Sequence, residues 1–150
     1  MRVCVVGNGP SANGTADLVD SCDVVVRCGE YWRVGSRTAG SKVDVWCTRR
    51  EPTEYDPVVA VIWHHDCTWL GDGEVFQRER LGSDQPSNGY IAAMMARHKW
   101  PEAQIILVGF DAEEPLPGDP KSMDARGKPI AFRGHNYVQE KRILRERGLL

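Results

Sequence analysis

Five short apolar runs, each closed by glycine or a polar residue, set the strongest limit on what this chain can fold into. They are "VCVV" at Val3–Val6, "DVVVR" at Asp23–Arg27, "VDVWC" at Val43–Cys47, "VVAVIW" at Val58–Trp63 and "IILV" at Ile105–Val108. Near-continuous apolar runs of this length are the mark of strands buried on both faces. Helical segments separate several of them. One starts near Ser11 to Thr15, where small polar residues can cap it, and runs toward Cys22. A second follows "PSNG" at 86–89, with Ile91, Met94, Met95 and His98 spaced i, i+3, i+4, i+7 as one apolar stripe. The last is "HNYVQEKRILRERG", closed by Gly148. Residues 64–85 and 111–134 read as loop. Strands alternating with helices predict an α/β fold: one Rossmann-like domain over residues 1–150, with a mostly parallel sheet of about five or more strands and helices on both faces.

The composition excludes several functions. Apolar residues make up 41% and charged residues 27%, with a formal net charge of -2, so no global positive field draws the chain to nucleic acid. The basic pairs, Arg49–Arg50 and the C-terminal "EKRILRERG", read as solvated faces. No apolar stretch approaches the roughly 20 residues that span a bilayer, and only five apolar-rich residues precede Gly7, which is not a signal-peptide pattern. Five widely spaced cysteines suit reduced thiols rather than a disulfide framework. The expected location is therefore the cytoplasm. Cys47 with His64, His65 and Cys67 has no CxxC spacing, and no metal site is expected.

In parallel sheets, ligands sit beyond the carboxyl ends of the strands. Those ends are Gly7–Ser11, Arg27–Glu30, Thr48–Arg50, His64–Asp66 and Gly109–Asp111. "GNGPSA" fits G-x-G-x-x-A through Gly7, Gly9 and Ala12, and Glu30 stands where a ribose-binding acid is wanted. Arg27 before that acid and Pro10 inside the loop depart from the dinucleotide pattern, so a nucleotide loop and a plain strand-to-helix turn both stay open. Ser87, Asn88 and Gly89 repeat this chemistry at a second helix start: either a cradle or simply a capped helix. His135 opens the last helix, where the positive dipole end favours the neutral imidazole that can act as a base. It also fits a plain surface residue. Glu140, five positions on, does not share its direction on a helix. Either His135 lies just outside the helix, or Glu140 pairs with a loop or a helix end.

Taken in order, these segments resemble the sialyltransferases, glycosyltransferase family 29. "VVGNGPSA", "VDSCDVVVRCG" and "GSKVDVW" echo that family's large motif. "PSNGYIAAMMARH" followed by "IILVGFD" echoes its small motif, and "HNYVQE" matches its H-x-x-x-x-E. The resemblance implies a CMP-linked nucleotide-sugar donor, no cofactor, no D-x-D metal site, and an inverting transfer to an acceptor hydroxyl. By matching position, Gly7, Asn8, Gly9 and Ser11 in the first loop, Arg27 at the second strand, and Ser87, Asn88 and Gly89 in the small motif would hold the nucleotide. His135 would take the acceptor's proton.

Some positions depart from the pattern. The family's Asn after the second strand is Gly29 here, the small motif lacks the family's cysteine, and the third motif has no clear counterpart. A short form without anchor or acceptor-binding insertions suggests a bacterial or phage protein, free of the membrane, with surface available for a homodimer. The acceptor stays open among glycan, lipid, protein and modified nucleobase. Two other readings stand beside this one: an NAD(P)-binding oxidoreductase or module, with Glu30 or Arg27 on the ribose, and a nucleotide-binding protein without turnover.

Overall fold

The sheet is parallel throughout and ordered β4-β3-β2-β1-β5. Its strands are β1 (Arg2–Val6), β2 (Val24–Cys28), β3 (Val45–Thr48), β4 (Ala60–Trp63) and β5 (Gln104–Val108). The computed structural model describes residues 1–30, 36–48, 53–54, 60–63, 86–111 and 137–150. Within them a single turn of 3-10 helix (Pro10–Ala12) follows β1. The α-helices are α1 (Ala16–Asp20), α2 (Ser36–Ala39), α3 (Asn88–Lys99) and α4 (Tyr137–Glu146). The α/β class, parallel sheet and two-sided covering are as the apolar runs predict.

Strand alternation divides the core in two. Val3, Val5, Val26, Cys28, Val45 and Cys47 face α3 and α4, packing on Tyr90 to Ala96, Ile143 and Leu144. Cys4, Val6, Val25 and Val108 face the opposite way, toward Ala12, Val19, Cys22 and Ala39. Cys4, Cys22, Cys28 and Cys47 are buried free thiols, and burial pushes Cys4 and Cys28 up to about 12.

Three details differ from the sequence reading. Strands β2 and β3 begin one and two residues later than expected, because the acids before them turn aside to bond backbone. Asp23 accepts from the Arg2 N–H at 2.6 Å and Asp44 from the Val25 N–H at 2.8 Å. The first helical segment breaks in two at residues 13–15, where Gly14 and Thr15 donate to the Thr38 carbonyl at the end of α2. Helix α3 carries no single stripe. Every residue from Tyr90 to Ala96 is buried and only its last turn, Arg97 to Lys99, is exposed, because the sheet covers one side and α4 another.

Helix α4 ends as the sequence indicates. The Gly148 N–H donates to the Arg145 carbonyl and the Leu149 N–H to the Leu144 carbonyl, both at 2.9 Å, which closes the last turn. No helix of the described residues is long and apolar enough to cross a membrane. The loop expected at 64–85, all of the loop expected at 111–134 except Asp111, and the site positions His64–Asp66 and Arg49–Arg50 lie outside the described residues.

Candidate functional site

Strand β1 lies between β2 and β5, so the chain leaves it in one direction first and returns on its other side. This is the switch point at which parallel sheets bind ligands. Here the two turns that leave β1 and β5 cross in contact. The Gly7 N–H donates to the Val108 carbonyl at 2.8 Å, and the Gly9 N–H to the Gly109 carbonyl at 3.0 Å. A Cβ at Gly7 would run into the Gly109 carbonyl, and one at Gly9 would stand 2.5 Å from an Asp111 oxygen. The Gly109 carbonyl stands 2.7 Å from that second position as well, so backbone packed against backbone requires both glycines of the G-x-G pattern.

That crossing uses up most of the donors of the first loop. The Ser11 N–H donates to the Asp111 carboxylate at 2.6 Å, and the Ser11 hydroxyl accepts from the Gly109 N–H at 3.2 Å. The N–H groups of Ala12 and Asn13 bond back to Gly9 and Pro10, and Pro10 has none to offer. From Gly7 to Asn13, the Asn8 N–H is the one amide left without an acceptor among the described residues.

A polar cluster instead forms one strand over, where the ends of β1 and β2 meet the start of α3. Asn8 donates through Nδ2 to the Cys28 carbonyl at 3.3 Å, which fixes its amide orientation, and its Oδ1 is buried without a partner among the described residues. Gly29 sits at φ +56, the left-handed region, with its N–H on the Cys47 carbonyl at 2.8 Å and its carbonyl taking the Trp46 indole N–H at 2.7 Å. A Cβ there would stand 3.1 Å from Asn88 Nδ2 and 3.7 Å from Asn8 Nδ2. The two carboxamides therefore converge over Gly29. Asn88 Oδ1 is also buried and has no partner among the described residues. A buried oxygen that receives no hydrogen bond is rare in a finished fold and costs about 1–3 kcal/mol.

Helix α3 supplies the opposite polarity. Ser87 caps it, its Oγ accepting from the Tyr90 N–H at 3.1 Å. The N–H groups of Asn88 and Gly89 meet no acceptor among the described residues and stand at the positive end of the dipole. The Phe110 ring packs on Gly89, 3.2 Å from where its Cβ would be, and also lies 3.4 Å from the corresponding point at Gly7. Phe110 thus joins the two loops.

The remaining expected site residues are placed as follows. The proton of the Ser87 hydroxyl goes to Glu140 at 2.6 Å, and the Ser87 N–H goes to the same carboxylate at 2.6 Å. Glu140 is 3% exposed and lies inside α4, so of the two alternatives its role is to hold a helix end. Arg27 is 2% exposed and faces the other side of the sheet from α3. Its guanidinium donates to the carbonyls of Ala39 at 2.9 Å, Gly40 at 2.8 Å and Lys42 at 3.1 Å, at the end of α2. Asn8, Asn88 and Gly89 are brought together, Ser11 is drawn toward β5, and Arg27 is not part of the group. His135 lies outside the described residues. Sequence reasoning gave no role to Phe110 or Asp111, although "GFD" directly after the fifth strand placed both at a strand end.

No family model matches the chain, and no curated protein matches it. Among solved structures it is similar to a mammalian sialyltransferase in complex with Gal-beta-1-3GalNAc-ortho-nitrophenol, with a TM-score of 0.60, 18% identity and 97% of this chain covered. A second structure, of a mammalian sialyltransferase, gives a TM-score of 0.59, 17% identity and the same coverage. The chain spans 66% of the length of each. At this identity the likeness is one of fold, and the fold of this chain is similar to the sialyltransferase fold.

Proposed function

We propose that the chain is a glycosyltransferase of sialyltransferase type, binding a CMP-linked sugar over Gly29 between Asn8 and the first turn of α3. The observation that carries this reading is the pair of oxygens on Asn8 and Asn88, buried without a partner among the described residues, beside the open N–H groups of Asn88 and Gly89. Amide oxygens accept hydrogen bonds from ribose hydroxyls or the exocyclic amino group of cytosine. Helix-start N–H groups suit the single phosphate. The site therefore offers acceptors for a nucleoside and donors for an anion, side by side.

The resemblance expects an Asn at the end of the second strand, where this chain has Gly29. The Asn88 carboxamide stands 3.1 Å from where a side chain at 29 would begin, so an amide is present at that place, delivered from the helix. In the reaction, the acceptor hydroxyl attacks the anomeric carbon while His135 takes its proton. The bond to the nucleoside monophosphate breaks, its electron pair leaving with the phosphate oxygen. The N–H groups of the α3 start meet the charge that develops there. Glu140 anchors α4 to the N-cap of α3, and the proposed base precedes Tyr137, the first residue of α4, by two positions in the sequence.

The dinucleotide reading is the weaker one. The loop that would cradle a pyrophosphate has already given its amides, all but that of Asn8, to Val108, Gly109, Gly9, Pro10 and Asp111. The test is hydrolysis or transfer of a CMP-linked sugar by the native chain and by His135→Ala. Turnover should fall by about 10²-fold or more in the variant with CMP affinity nearly unchanged. Equal turnover in both removes His135 from the mechanism.

A further inference from the structure

The first loop is closed by a carboxylate. Ser11 is the second residue of the short helix after β1, and its N–H is a donor that a phosphate would approach in a G-x-G-x-x-A loop. That N–H donates instead to Asp111 Oδ2 at 2.6 Å. The same oxygen lies 2.5 Å from the position of a Cβ on Gly9, so the carboxylate is seated directly on the G-x-G turn. Asp111 has no cationic partner among the described residues, and its charge stays at the rim. The neighbouring residue, Phe110, packs against Gly89 at the start of α3, where the proposed phosphate site lies.

We infer that Asp111 is a specificity-determining residue: it occupies the second anion position at the switch point and so restricts the donor to one phosphate, turning away nucleoside diphosphates. This deepens the proposed donor reading and rests on it. A diphosphate entering at the α3 start would carry its additional charge toward the first loop. There it would meet a carboxylate already holding the Ser11 N–H, and like charges repel while that donor is denied. The proposed CMP phosphate, held at α3, escapes this.

The experiment is calorimetric titration of the full chain with CMP and with CDP, alongside Asp111→Asn and Asp111→Ala. The Asn variant keeps an oxygen for the Ser11 N–H and removes the charge; the Ala variant frees the N–H. The native chain should prefer CMP to CDP. That preference should shrink by on the order of tenfold in Asn and by at least as much in Ala, through a gain in CDP affinity with CMP affinity little changed. A purely structural bond would weaken both ligands alike and leave their ratio where it was, and an unmoved ratio overturns the inference while leaving the donor reading intact. If the native chain binds neither CMP nor CDP, the donor reading falls and this inference with it.

Discussion

Ser87 and Glu140, separated by 53 positions in the chain, are joined by two hydrogen bonds, with both the N–H and the hydroxyl of Ser87 donating to the buried carboxylate at 2.6 Å. Ser87 is at the same time the N-cap of α3, through the bond that its Oγ accepts from Tyr90. One carboxylate thus fixes both where α3 starts and where α4 sits. Glu140→Ala leaves a buried N–H and hydroxyl without acceptors and should cost about 2 kcal/mol or more of unfolding free energy. Glu140→Gln keeps one acceptor and should cost less than half as much. Urea titration of the two variants checks the ranking.

Gly29 is the floor of the proposed pocket. Gly29→Ala meets a left-handed backbone penalty of about 1–2 kcal/mol and places a methyl 3.1 Å from Asn88 Nδ2. Affinity for CMP should drop at least tenfold, more than the loss of stability accounts for. Gly29→Asn combined with Asn88→Thr moves the carboxamide from helix to strand end and should bind CMP better than either single change. A double variant no better than the worse single one would mean that the two positions do not share one role.

Arg27 gives the contrasting case. Its three bonds to carbonyls at the end of α2 make it a structural clamp on the face away from α3. Arg27→Met strands those carbonyls in a buried place and should lower stability by about 3 kcal/mol. In the fraction that stays folded, CMP affinity should match the native chain. A selective loss of CMP binding at unchanged stability would return Arg27 to the nucleotide site.

The acid side of the stability curve should depend on Asp20. The N–H groups of Lys42 and Ser41 beside its carboxyl hold it below the usual carboxylate range. A depressed acid stabilises the fold above its unfolded value near ~3.9 and loses that contribution as pH falls through the folded value. Asp20→Asn should therefore melt lower than the native chain at pH 7, and the gap should close as pH falls through the depressed folded value. Melting temperatures of both proteins across pH 2.5–7 test this, and a gap that widens in acid would refute it.

The buried thiols make a further check possible. With Cys4 and Cys28 pushed up to about 12 by burial, and Cys22 and Cys47 equally enclosed, none of the four should react with a disulfide reagent in the native chain at pH 8. All should react in urea. Peptide mapping of the labelled sites distinguishes the two outcomes.

What the sequence made legible was local. The strand runs, the Ser87 cap and the Gly148 stop are each encoded within a few residues and appear where those residues place them. The state of the first loop was not legible, because it depends on a bond between Ser11 and Asp111, 100 positions apart. Nor was the role of Arg27, since a strand-end arginine reads the same whether it faces a ligand or the carbonyls of a neighbouring helix. Helix α3 misled in a third way. Its alanines at 92, 93 and 96 carry little hydrophobic contrast, so the periodic pattern picked out one stripe of a helix in which every residue from Tyr90 to Ala96 is buried. The Asn8, Gly29 and Asn88 convergence was half visible: the two asparagines were expected near a nucleotide, but the glycine beneath them looked like a lost contact rather than the space that one of them fills.

The most direct measurement is calorimetric titration of CMP and of NAD into the native chain and into the Asn8→Ala, Asn88→Ala double variant, with melting curves of both proteins alongside. CMP should bind the native chain at one site per chain, NAD should not bind, and the double variant should lose at least a hundredfold in CMP affinity while keeping its fold. Saturable NAD binding without CMP binding, or CMP binding untouched by removing both carboxamides, would contradict a nucleotide seated over Gly29.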